Sequence, residues 1–117
     1  MGDSILKDKS FQFALHIISL YKELYTNNEY VMSKQLLRCD TSIGANIAEA
    51  NKAQTLADFS AKMYIALKEA NETEYWLQLL TQAGYIGQEK GREILNECDE
   101  IVRMLVATTK KTAPRLI

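Results

Sequence analysis

A single proline, Pro114, occurs in the chain, and ahead of it four apolar-periodic segments succeed one another with only short polar breaks between them. Proline removes a backbone donor and breaks helices, so a chain that keeps it out of four long amphipathic runs is built to be helical. The runs cover 4–27, 30–52, 56–83 and 88–110, and 111–117 form a C-terminal tail. The breaks carry helix-ending chemistry. In "TNNEY" Asn27 and Asn28 suit a helix C-terminus, in "TLAD" Thr55 caps with Asp58 three residues on, and in "AGYIG" Gly84 ends the third run. Connections this short favour antiparallel neighbours, which predicts an all-α, antiparallel up-down-up-down four-helix bundle. Nothing reads as a strand. With 117 residues, 47% of them hydrophobic, the chain can build one core but not two, so 1–117 is expected to be a single domain.

Helical wheels separate the runs by how much of their girth is apolar. In the fourth, Ile94, Leu95, Cys98, Ile101, Val102, Leu105 and Val106 share one arc, and Glu89, Glu93, Glu97 and Glu100 lie away from it. The first is apolar over roughly 200° of its wheel, more than a lone four-helix bundle can bury. Its Phe11, Ile18 and Tyr25 are therefore interface candidates. The third run has a core stripe of Leu56, Phe59, Met63, Leu67, Ala70 and Leu77, and a second cluster of Tyr64, Ile65, Tyr75, Trp76 and Leu79 on other faces. Surplus aromatic surface of this kind predicts an oligomer.

The stretch "SIGANIAEA" places a glycine inside the second run. A phosphate loop would need GxxxxGK[ST] after a strand, and neither is present. On a helix, Thr41, Gly44, Ala45 and Ala48 share one side, a small-residue stripe along which another backbone can come close. That contact would offset the roughly 1 kcal/mol that glycine costs a helix.

"SKQLLRCDTSIGANIAEA" followed by "DFSAKMYIALKEANETEYWLQLLTQAGYI" resembles the bacterial four-helix-bundle family first named for proteins encoded in intervening sequences of 23S ribosomal RNA genes. The resemblance extends from "KSFQFAL" to "ILNECDEIVRML", and its most specific pieces are "LLRxxTSIGANIAEA" and "KEANETEYWLxLLxxxGYI". It implies a bundle that assembles as a ring, a homopentamer, with no established enzymatic activity. It also implies kinship with the accessory variability protein of diversity-generating retroelements, a pentamer that engages nucleic acid and reverse transcriptase through a basic surface. This chain differs from that relative in a net charge of −1 and a pI of about 5.8, and the whole-molecule signature of a nucleic-acid binder is missing.

Catalytic constellations are absent from the pattern. A carboxylate-bridged metal site in a bundle requires Glu-x-x-His motifs. Asp40, Glu49, Glu69, Glu72 and Glu74 supply carboxylates, but the one histidine, His16, has no glutamate three residues before it. No arginine precedes His16 to form an Arg-plus-His ribonuclease pair, and nucleophile schemes lack a second histidine. Cys39 and Cys98 have no zinc or redox spacing and read as buried thiols of a reducing compartment. No enzyme activity, cofactor or metal is expected. Asp40 and Glu74 nevertheless fall on core stripes, which calls for ion pairing, with Arg38 or Lys68 the expected partners, or for a place facing an oligomer channel. Arg38 and Glu49, on one side of the second run, are further bridging candidates.

"MGDSILKDK" lacks the apolar core of a signal peptide, Leu6 breaks the myristoylation pattern, and no run is long and apolar enough to span a membrane, so a cytoplasmic protein is expected. Two functional classes remain. The first is a non-enzymatic oligomeric adaptor with a protein or nucleoprotein partner. The second is a direct RNA- or DNA-binding accessory protein using Lys110, Lys111 and Arg115 of the basic tail.

Overall fold

The computed structural model describes residues 2–112, with side chains from Ile5 onward. They form four helices: α1 Gly2–Thr26, α2 Met32–Ala50, α3 Leu56–Gln82 and α4 Gln88–Thr112. No strand occurs among the described residues.

Each helix turns inward a stripe spaced alternately three and four residues apart, the interval that keeps one face of a 3.6-residue helix on a partner. In α1 the stripe is Leu6, Phe13, Ile17, Leu20 and Leu24, and in α4 it is Ile94, Cys98, Ile101 and Leu105. Leu36, Ile43 and Ile47 of α2 meet Met63, Ala66, Ala70, Leu77 and Leu80 of α3 in the same core. Leu56 corrects the sequence expectation. It is 65% exposed, because it opens α3 at the end of the bundle.

The connections are terminated as their chemistry requires. Asn28 adopts a left-handed φ of 68° after α1, and Gly84 one of 88° after α3. Thr55 caps α3 by accepting the Asp58 N–H at 3.1 Å. The cap of α2 was not foreseen. The Glu29 carboxylate accepts the N–H groups of Val31, Met32 and Ser33 at 3.2, 3.1 and 2.6 Å, and the Ser33 hydroxyl donates back to the Glu29 carbonyl at 2.8 Å. Burial opposes the charge on Glu29, but the three backbone amides outweigh it and hold the carboxyl below its ordinary range. An acidic residue just ahead of a helix was the available signal.

α1 packs on α2 and α4, and α3 packs on α2 and α4, whereas α1 and α3 lie diagonally across the bundle with their backbones apart. α2 and α3 share the most extensive contact, and α1 and α4 the sparsest. Across that sparse seam run two ion pairs, Lys9–Glu100 at 2.7 Å and Glu23–Lys90 at 2.6 Å, and a His16–Glu97 hydrogen bond of 2.7 Å.

Candidate assembly surface and buried polar layer

Apolar side chains that the core cannot use gather on α1 and α3. On α1, Phe11 is 62% exposed, Leu15 and Tyr25 are also exposed, and Ile18 is half-buried between them. These residues lie at helical intervals, so they form a second stripe beside the core stripe. On α3, Tyr64, Ile65 and Leu79 are exposed and Tyr75 is 55% exposed. A groove of about 670 Å³ runs from Tyr75 and Leu79 to Arg92 and Leu95 of α4. Because the backbones of α1 and α3 lie diagonally across the bundle, the two exposed apolar surfaces are separate. Three of the interface candidates also have partners inside the chain, Tyr75 through an edge-on contact with Trp76 at 5.1 Å between centroids. Tyr25 packs edge-on against Tyr30, with centroids 4.8 Å apart. Trp76 is half-buried and donates its indole N–H to Glu72 at 3.1 Å.

Arg38 is committed to α3, where it reaches Glu72 at 2.6 Å and Glu69 at 3.5 Å. This corrects its assignment as a partner of Asp40. Two positions apart on one helix, Arg38 and Asp40 point about 200° away from each other, so Arg38 cannot serve the core stripe. Lys68 and Glu74 make no ion pair among the described residues. Glu49 of α2 pairs with Lys62 of α3 at 3.0 Å.

The fold also assembles a group that the spacing did not reveal. Cys39, Glu69 and Glu72 bring ligand atoms within 4.8 Å of one another. Their chemistry does not fit a metal. The Arg38 guanidinium already supplies the positive charge and lies 3.3 Å from the Cys39 sulfur, while burial, aided by Glu72, pushes the Cys39 thiol up to about 12. Hydrogen bonds from the Cys39 thiol and the Trp76 indole hold the Glu72 carboxyl below its ordinary range, with Arg38 adding to them. The cluster is an ion-paired clasp between α2 and α3.

Asp40 is different. It is 1% exposed, and neither carboxyl oxygen has a hydrogen-bond partner among the described residues. Burial, with Glu97 nearby, pushes its carboxyl up to about 7 from an ordinary 3.8. Cys98 lies in the same layer, its thiol raised to about 12 by burial and by Glu74, Asp40, Asp99 and Glu97, and donates to the Ala70 carbonyl at 3.6 Å.

Among the described residues the small-residue stripe makes no close contact with another helix. Thr41, Ala45 and Ala48 are exposed, and apart from the adjoining turns of its own helix no described atom lies within 4 Å of the place a β-carbon on Gly44 would occupy. The close approach is made instead by Gly91, on the core stripe of α4 three residues before Ile94. That register was the signal to read. Lys110 and Lys111 are exposed in the last turn of α4, and Arg115 lies outside the described residues. No described helix is long and apolar enough to cross a membrane.

A four-helix architecture with a deep apolar core, two leftover apolar surfaces and no convergent catalytic groups among the described residues defines a class of helical bundle proteins. Within it, the family model described as 23S rRNA-intervening sequence protein matches residues 2–107, and the chain belongs to that family. It is similar to a solved protein of unknown function from the S23 ribosomal protein family of Bacteroides thetaiotaomicron VPI-5482. The two are 54% identical with a TM-score of 0.91, over 94% of this chain and 99% of that one. Among curated proteins none matches the chain.

Proposed function

We propose that this single-domain chain is a non-enzymatic assembly protein of the cytoplasm, whose copies join into a closed ring that serves as an adaptor for a protein or nucleoprotein partner. The carrying observation is the pair of exposed apolar surfaces on α1 and α3, helices that lie diagonally across the bundle from each other. A two-fold dimer needs one self-complementary patch, whereas two different patches on opposite sides of a protomer suit head-to-tail contacts that close into a ring. Five copies are what the family resemblance implies. An antiparallel up-down-up-down course of the helices fits this reading, since Lys9, His16 and Glu23 of α1 meet Glu100, Glu97 and Lys90 of α4 in descending order. Light scattering coupled to size exclusion tests the proposal: a ring mass at micromolar concentration is expected, and a stable monomer would overturn it.

A further inference from the structure

We propose that Asp40 and the His16–Glu97 pair form a proton-operated latch on the seam between α1 and α4, closed while Asp40 keeps its proton and opened to water when that proton leaves to solvent. The geometry begins with the two orphaned oxygens of Asp40 at 1% exposure. An ionised carboxylate there would be buried without a compensating charge, which the interior does not tolerate. No cation among the described residues pairs with it. On α2 its neighbour Arg38 is held by Glu69 and Glu72 of α3; Glu74 of α3 and Glu97 and Asp99 of α4 are acidic; the thiol of Cys98 is neutral. On α1, His16 is bound at 2.7 Å to Glu97 and is not a partner of Asp40.

The seam is also the place where the bundle can part. α1 and α4 make the sparsest helix contact, and a cleft of about 250 Å³ opens there between Asp8, Lys9, Gln12, Glu97, Glu100 and Ile101. Glu97 lines this cleft and is the carboxylate that acts on Asp40. It therefore stands between solvent and the buried group. Deprotonating Asp40 puts a second negative charge behind Glu97, which weakens this seam as pH rises.

The sign follows from linkage. A carboxyl raised to about 7 in the closed bundle and near 3.8 when hydrated favours the closed form fully below 3.8, and loses that contribution as pH climbs to about 7. Hydrogen exchange on the full chain from pH 3.5 to 8, corrected for intrinsic rates, reads this directly. In the wild type, protection of α1 and α4 amides along the seam should fall by up to about tenfold per pH unit between roughly 4 and 7, and then level off. Asp40→Asn and Asp40→Leu should each remove that decline, and either folded variant suffices. Flat protection in the wild type would overturn the proposal, as would an undiminished decline in the variants. Loss spread equally over α2 and α3 would overturn it too, because it would report global unfolding and not a seam.

Discussion

Gly91 faces Thr81 so closely that a β-carbon on Gly91 would lie 2.5 Å from the Thr81 hydroxyl oxygen and 3.1 Å from its Cβ. The threonine cannot easily yield. It is buried, β-branched, and donates its hydroxyl to the Leu77 carbonyl at 2.7 Å. Gly91→Ala is therefore expected to cost on the order of 1–3 kcal/mol through overpacking. Gly44→Ala, with open space around it in the protomer, should stabilise by about 0.5–1 kcal/mol. Urea unfolding of the two variants checks the contrast, and equal effects would refute this account of the helix contact.

Removing the Glu29 cap should cost about 1–2 kcal/mol at pH 7, because Glu29→Ala leaves the amides of Val31, Met32 and Ser33 without their acceptor. The Glu29 carboxyl is held below its ordinary 4.5 in the folded chain. Its contribution is thus present above that value and lost as pH falls through the lowered one. Denaturant curves at pH 7 and pH 3 should show the gap between wild type and variant shrinking in acid.

Head-to-tail association makes a mixing experiment decisive. Phe11→Glu damages the α1 surface and Tyr75→Glu the α3 surface, so each variant alone should run as a monomer. Mixed, they retain one intact surface of each kind and should form a one-to-one dimer by light scattering. A two-fold interface gives no such complementation.

Direct nucleic-acid binding would need local positive charge, since the chain carries a net −1. Lys110, Lys111 and Arg115 supply it, so alanine at all three should lower both affinity and salt slope if binding exists. The adaptor reading expects little binding to unrelated strands at physiological salt. Sub-micromolar affinity there, read by fluorescence anisotropy, would reverse the ranking.

Both thiols are pushed up to about 12 and both are buried. At pH 8 alkylation of the folded chain should run on the order of a thousandfold slower than that of a free cysteine. Mass spectrometry of iodoacetamide-treated protein follows it, and rapid labelling of Cys39 would contradict the clasp described for α2 and α3.

The sequence by itself determined the helices and their ends, because these depend on near neighbours. The periodicity of Phe13, Ile17, Leu20 and Leu24, the cap at Thr55 and the stop at Gly84 are set within a turn or two of chain. It also showed that α1 has more apolar girth than a bundle can bury. What it could not fix were relationships between helices, where only relative rotation and register decide who meets whom. Gly44 and Gly91 look alike in sequence, yet only Gly91 faces another helix. Arg38 and Asp40, two residues apart, face different ways by helical spacing, but only the packing shows that Glu69 and Glu72 meet the first and that no described residue pairs with the second. Local sequence sets the direction of each side chain around its own axis; packing of four axes together sets what lies in that direction.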